Sequence, residues 1–502
     1  MTLLAIDIGS SGPKASIYAS SGEVLCSARN EYQLCKNARQ RHGYELDSEQ
    51  LWASLVAVLS ELPQSRRMDV AAISLSSHGE SFVPVDAEGI PLGPFILNLD
   101  LRAVQEAEEF AKWFGHDELY RLTGLPTHAM YPLPKIAWLR RHRAEIFDKA
   151  AKFLCVEDYL LSRVGVGSYI SESLASRTFG FEIETGEWSK RLLAGIGLSP
   201  ERFACPVPSG KALGVASTAA AAELGLPAKA IWVSGGHDQA CCSLGGGGML
   251  QSVAVDGTGT FECVTIAHRD RVVSPFAFHG NFPTERHVIP QMFVTLAYTP
   301  AGIVPDWLRQ VTGDRALSQR QSYASLFSNL PSGPTGLLFF PHLVGTGTPW
   351  FDAEARGAIL GLSATTTKED LYKGALEGIT YEMLWNLETL KQAGLQFERI
   401  HAVGGGARST AWMQLKADIF GCEVVEIAGE ASCMGAAICA GVGIGAFSSW
   451  QEGASALIHE QRAFYPDIDR RNQYREFFEN YKLFAEKIYG YHLAASQMEA
   501  VL

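Results

Sequence analysis

At 502 residues the chain is longer than one hydrophobic core fills, so two or more domains are expected. Its 47% hydrophobic and 19% charged residues are the balance of an ordinary globular protein. The net charge of −12 argues against a nucleic-acid binder, which needs a basic face, but leaves room for a small anionic substrate held by local lysines and backbone donors.

From Thr2 the chain enters an apolar strand with no basic stretch and long apolar run before it, so no signal peptide is expected. Residues 3–7 lead into Gly9-Ser10-Ser11 and a second strand over residues 14–18. Residues 1–30 read as a β-meander with a further turn at Ser20-Ser21-Gly22. A helix near 48–62 and a strand near 70–75 give an α/β rhythm. Residues 105–165 read as mainly helical. A strand at 231–234 ends in Gly235-Gly236-His237-Asp238, ahead of a helix of small residues. Residues 252–256 then repeat the opening device, with the turn Gly257-Thr258-Gly259-Thr260 and a second strand over 261–266. The clearest helix spans about 368–393. Thr366 with Glu369, or Thr367 with Asp370, supplies its capping box, and Gly394 stands at its C-cap. A strand at 400–403 meets the glycine turn 404–409. Residues 431–447 are apolar, yet their Ala, Gly and Ser suit a packed interior helix better than a membrane span. The tail from Gln451 is charged and aromatic at helical spacing. The ten cysteines contain no C-x-x-C pair and sit in apolar contexts, which fits reduced thiols of a cytoplasmic protein and gives no zinc site.

The repeated strand–turn–strand carries the first chemical reading. A turn of Gly with small hydroxyl residues exposes backbone N–H groups as a nest for phosphates. Two copies, one per half, suggest a duplicated fold gripping one nucleotide from both sides. Asp7 beside such a nest suits Mg²⁺, directly or through water, although Asp before Gly is also common in turns. Lys14 suits a transferring phosphate, or is simply an exposed strand lysine. Asp238 follows two glycines at a strand end, where a carboxylate can take a hydroxyl proton as that oxygen attacks a γ-phosphate. It is equally a helix N-cap residue. The turn 404–409 can let adenine and ribose lie against the backbone, or be a close-packed βα turn. No G-x-x-x-x-G-K-[ST] occurs, which excludes an ordinary P-loop, and no G-x-G-x-x-G follows a strand, which weakens a dehydrogenase.

Over nearly its whole length the chain resembles the FGGY family of carbohydrate kinases, within the actin/hexokinase/Hsp70-like ATPases. Met130-Tyr-Pro132-Leu-Pro-Lys135-Ile-Ala-Trp138-Leu-Arg-Arg141-His142 fits the family's first signature. Gly357-Ala-Ile-Leu-Gly361-Leu362, with Asp370-Leu371 and Ala375-Leu-Glu377, fits the second, except that Gly374 stands where Ala or Ser is usual. Ala175-Ser-Arg-Thr178, Thr185-Gly-Glu-Trp188 and Phe340-Pro-His-Leu343 add to the likeness. The resemblance implies an α/β fold of two actin-like (ribonuclease H-like) ATPase domains, each a mixed sheet flanked by helices, with a cleft between them. It implies a sugar-binding domain over 1–247, a nucleotide-binding domain over 248–450 and a helical extension over 451–502. Asp7 would lie near the metal. Ser10, Ser11 and Lys14 would surround the phosphates, with Gly257, Thr258 and Gly302 opposite and Gly405, Gly406 and Ser409 near the adenosine. Asp238 would be the catalytic base with Gln239 beside it, and His78, Gly79, Glu80, Asp100, Arg102 and Met130 would line the sugar.

The departures bear on specificity. Asn98 replaces the Trp usual before the D-x-R pair, removing an apolar wall. Met130 stands where glycerol kinases carry Tyr, which argues against glycerol, and Glu80 replaces the His typical of xylulokinases. Gly345-Thr-Gly-Thr-Pro349 lacks the charges common in that loop. The reading is an ATP- and Mg²⁺-dependent kinase acting on a primary hydroxyl of a small sugar, a xylulose-like ketopentose, with ribulose, erythritol or glycerol as alternatives. It expects no nucleic-acid or membrane partner, and a homodimer is the common oligomer. The rival of another class is an actin/Hsp70-like ATPase without a sugar substrate, which sugar-stimulated ATP turnover would separate. A nicotinamide-binding assay would test the more distant dehydrogenase.

Overall fold

The computed structural model describes residues 1–32, 34–36, 43–250, 252–313 and 333–499, and two sheets of one plan organise it. The first holds β1 (Thr2–Gly9), β2 (Gly12–Ala19), β3 (Val24–Arg29), β4 (Val70–Ser77), β5 (Ala212–Val215) and β6 (Ile231–His237), in the order β5-β6-β4-β1-β2-β3. The second holds β7 (Val253–Thr258), β8 (Phe261–His268), β9 (Thr284–Arg286), β10 (Phe293–Pro300), β11 (Arg399–Val403), β12 (Glu423–Ile427) and β13 (Glu460–Phe464), in the order β9-β10-β8-β7-β11-β12-β13. In each, an antiparallel three-strand meander is extended by two parallel strands and closed by an antiparallel edge strand. The duplication expected from the hairpins therefore covers five strands of each sheet and one edge strand. The fold is α/β throughout.

β1 is buried from Leu3 to Ile8 without alternation, because both faces of the sheet are covered. Helix α1 (Ser48–Ser60), capped by Asp47, packs on β2. Helix α2 (Asp238–Gly245) follows β6, α3 (Lys368–Gln392) precedes β11, and α4 (Thr410–Phe420) joins β11 to β12. Helix α5 (Ala431–Gly443) follows β12, and α6 (Ile468–Glu499) closes the chain. Of the two caps considered for α3, Thr367 with Asp370 forms the box. The strand ending in Gly235-Gly236 runs on to His237, three residues beyond the expected end. The tail is more than helical: β13 completes the second sheet, and Tyr481 of α6 donates to Glu382 Oε1 at 2.7 Å, pinning that helix on α3. Residues 500–502 of the expected extension lie outside the described residues.

The equivalent helices α2 and α5 cross between the two sheets. Each offers glycine at the crossing. A Cβ on Gly435 would stand 2.0 Å from Cys241 O, and one on Gly245 would stand 2.0 Å from Ala431 O. Around them Leu3, Ala5, Ala72, Val233, Val255 and Ile438 form a core separate from those within each lobe. Within the small-residue run 431–447 the helix covers Ala431–Gly443 and is largely buried, with a turn after it, and no described helix is long and apolar enough to cross a membrane. Alanine is the better helix former, but Gly435→Ala forces two backbones apart, and overpacking of this kind costs about 1–3 kcal/mol. A lowered melting temperature is expected in a thermal-shift measurement, and an unchanged or higher one would contradict the close crossing.

Candidate active site

The site lies where the C-terminal ends of β1, β4 and β6 face those of β7, β11 and β12. β6 reaches it only because its last residues are small. A Cβ on Gly235 would stand 1.6 Å from Leu75 O, and one on Gly236 would stand 2.4 Å from Val288 Cγ1. Asp238 is the first residue of α2, His237 occupies the cap position, and no side chain caps the helix. The Asp238 carboxylate is 21% exposed and has His237 Nε2 3.2 Å from its Oδ1. Burial pushes its pKa up to about 7, against the opposing pull of His237.

At the end of β4, Glu80 adopts a left-handed backbone (φ 60°). Lys135 Nζ stabilises that turn by donating to the carbonyls of Glu80 and Leu97, both at 2.7 Å. Complete burial brings the Lys135 pKa down to about 7. Arg177 Nε donates to Glu80 Oε1 at 2.6 Å and stands 3.3 Å from Glu285 Oε2. His237 Nδ1 in turn donates to Glu285 Oε1 at 2.7 Å. Burial opposes the Glu80 charge, yet Arg177, with His237 and Lys135 beyond it, holds its carboxyl below the usual range. Around this row His78 Nε2, Tyr131 Oη and Arg177 Nη1 are buried with no hydrogen-bond partner. Burial also lowers the His78 pKa to about 4, so the imidazole is neutral.

The second lobe closes over this end. Glu285 comes from β9. Tyr298, at the end of β10, contacts the Phe351 ring (5.6 Å between centroids), which meets His128 at 4.6 Å. Met130 packs on the first-lobe core, and its N–H donates to His128 Nδ1. Asp100 and Arg102 are occupied with each other. The Asp100 oxygens accept from Tyr44 N and from Arg102 N, Nε and Nη2, while Arg102 also binds Glu45 and lies over Trp138. That saturation leaves Asp100 no acceptor site for a sugar hydroxyl.

Both hairpin turns reach the surface. Ser10, Ser11, Gly259 and Thr260 are exposed at their tips. Asp7 accepts from Ser76 Oγ at 2.7 Å; burial raises its pKa, and Lys14 opposes the rise. Lys14 of the first lobe pairs with Glu430 at 2.7 Å, just before α5, and Arg408 of the glycine turn approaches the same carboxylate at 3.9 Å. Within that turn Gly405 faces open space, whereas Gly406 is pressed on Thr258, where a Cβ would stand 2.4 Å from Cγ2. Gly302 ties down the second hairpin by donating to Gly259 O at 3.0 Å. Ser409 caps α4. A cavity of about 250 Å³ opens beside them, lined by Gly404, Arg408 and residues 426–429. Under the second hairpin Lys416 of α4, fully buried, lies 2.5 Å from Asp256 and 3.0 Å from Glu262, and donates to Thr258 Oγ1 at 3.0 Å. Burial and the Asp256 charge push the Glu262 pKa up, against the opposing pull of Lys416.

Two duplicated lobes, a Gly- and hydroxyl-rich hairpin in each and the partly exposed Asp238 carboxylate agree with the family profiles. The profile for the FGGY family of carbohydrate kinases, N-terminal domain, matches residues 2–245, and that for the C-terminal domain matches residues 254–444. The chain belongs to the FGGY family of carbohydrate kinases. It is a sugar kinase. A xylulose kinase of Staphylococcus epidermidis is 30% identical over 486 residues, covering 96% of this chain and 95% of the relative. Two Lactobacillus acidophilus structures, a ligand-bound xylulose kinase and a gluconate kinase, each superpose with a TM-score of 0.89 at 21% identity, covering 97% of this chain and 98% of theirs. They show that this carbohydrate kinase shares their fold.

Arg177, Lys135 and His237 lie inside sequence motifs that assign them no role. Glu285 carried no motif at all. Lys416 left a faint signal, since it falls four residues after Trp412 and four before Phe420 on the apolar stripe of α4.

Proposed function

We propose that this carbohydrate kinase transfers the γ-phosphoryl group of ATP to a primary hydroxyl of a neutral ketopentose of the xylulose type, with Asp238 as the base. The observation that carries the reading is the Asp238 carboxylate itself: it caps no helix, burial pushes its pKa up to about 7, and it interacts with Asp7 of the first hairpin and with Glu80, near the unpartnered polar atoms of His78, Tyr131 and Arg177. Those three atoms call for a ligand rich in hydroxyls. The acceptor O–H gives its proton to Asp238 while the oxygen forms a bond to the γ-phosphorus. The bond from that phosphorus to the β–γ bridging oxygen breaks, and its electron pair leaves with ADP. Asp7, with one oxygen bound by Ser76, suits Mg²⁺ held by a single carboxylate, phosphate oxygens and water. Such an ion neutralises phosphate charge. Ser10, Ser11, Lys14, Gly257 and Thr258 hold the phosphates, and Gly405 leaves room for the adenosine. Lobe closure excludes water and suppresses idle ATP hydrolysis.

The relatives named xylulose kinase support the ketopentose, and the charge balance argues against an aldonate. Arg177 is already shared between two buried carboxylates, Glu80 and Glu285, so a third anion would be buried without a partner. ADP release across a panel of ketoses, aldoses, polyols and aldonates tests this. A ketopentose is expected to exceed gluconate in kcat/KM by at least about tenfold. ATP turnover indifferent to every sugar would support the plain ATPase instead.

A further inference from the structure

Glu80, Arg177, Glu285, His237 and Asp238 form one unbroken row of alternating charge, from the sugar pocket to the base. The row crosses the molecule's division. Glu80, Arg177, His237 and Asp238 belong to the first half of the chain, and Glu285 comes from the edge strand of the second sheet. All but Asp238 are almost wholly buried. We infer that His237 and Glu285 are positioning residues for phosphoryl transfer: Glu285, delivered by the second lobe, fixes the imidazole so that its Nε2 orients and holds ionised the Asp238 carboxylate. This rests on the kinase reading above and gives it a second layer.

The chemistry follows from the two nitrogens. Nδ1 donates to Glu285, so Nε2 faces Asp238 either as a second N–H or as a lone pair. A lone pair would repel the carboxylate or require Asp238 to be the protonated partner, in which state it accepts no hydroxyl proton. Burial disfavours the imidazolium, but Glu285 and Asp238 together outweigh it and raise the His237 pKa. Asp238 Oδ1 is then engaged and Oδ2 is left for the acceptor hydroxyl. The other charged or titratable groups acting on the pair are Asp7 from β1, Glu80 and His78 from the end of β4, Tyr32, Arg177, Cys242 of α2 and Cys263 of β8. Because Glu285 belongs to the opposite lobe, the base is aligned only while the lobes are engaged. The Arg177–Glu80 link ties that alignment to the pocket the sugar fills.

The cleaner variant is His237→Gln, because Glu285 also acts directly on Asp238 in the opposite sense. The acid limb of the kcat/KM–pH profile is expected to move up by about one pH unit, since an opposite charge at this range lowers a carboxyl by about 1–3 units. A kcat loss of about 10–100-fold is expected, with KM for ATP little changed. Glu285→Gln is expected to lower kcat similarly, and adding it to His237→Gln to cost little more, as for two groups acting through one contact. An acid limb that stays in place, or losses that multiply in the double variant, would overturn the inference. Should the variants fail to fold, ¹⁵N NMR of the unaltered protein at neutral pH decides the point: His237 is expected as an imidazolium protonated on both nitrogens, and a neutral ring overturns it. If the unaltered enzyme phosphorylates no sugar, the kinase reading fails by itself, and the NMR measurement still judges the row.

Discussion

Asp238→Asn is expected to lower kcat by about 10²–10⁴-fold, the usual worth of a positioned proton acceptor, while nucleotide binding and folding persist. Asparagine keeps the shape of the side chain and cannot take the acceptor's proton. For the unaltered enzyme, the Asp238 pKa of about 7 places the acid limb of kcat/KM near neutrality, with about a tenfold loss per pH unit below it. The same shift has a consequence for stability. A carboxyl whose folded pKa is raised binds more protons in the folded state than in the unfolded state. Stability is therefore drained as pH rises from the unfolded value toward 7. Asp238→Asn removes that drain, so at pH 8 the variant is expected to melt no lower than the parent. Coupled ADP release and thermal unfolding measure both effects. Turnover close to the parent's would remove Asp238 from the base role.

Lys416→Met is expected to cost about 3–5 kcal/mol of stability, the price of stranding buried carboxylates by deleting their cation. Lys416, Asp256 and Glu262 are all fully buried, and methionine nearly matches the lysine in volume, so the loss is electrostatic. Thr258 also loses the ammonium bonded to its hydroxyl, so the second hairpin loosens and nucleotide affinity falls with stability. Changing Asp256→Asn and Glu262→Gln in the same chain is expected to restore part of the melting temperature, because neutral partners no longer need the cation. Thermal unfolding and calorimetric nucleotide titration read both effects. A Lys416→Met protein that melts with its parent would show that the cluster carries no such strain.

Much of the architecture was legible because local physics wrote it twice. Apolar strands meeting Gly-Ser-Ser and Gly-Thr-Gly-Thr can only turn there, and each turn is the apex of a hairpin whose partner strand follows at once. The helix α3 was equally plain from its stripe of Ala375, Ile379, Met383 and Leu387, its capping box and Gly394. Those signals lie within a few residues of one another, so neighbouring side chains suffice. The tail strand β13 was not legible, since Glu460–Phe464 is exposed except at Phe464 and lacks the apolar alternation of a half-buried strand.

By itself the sequence determined two nucleotide-gripping hairpins, the carboxylate that ends the β6 strand, and membership of a kinase family. Only the tertiary structure decided how the charges pair. It closed Asp100 onto Arg102, set Lys416 under a hairpin some 160 residues away, and carried Glu285 across to His237. A buried charge is stable only beside an opposite one. Partners separated by tens to hundreds of residues meet through the packing of sheets and helices, which no local pattern of residues records.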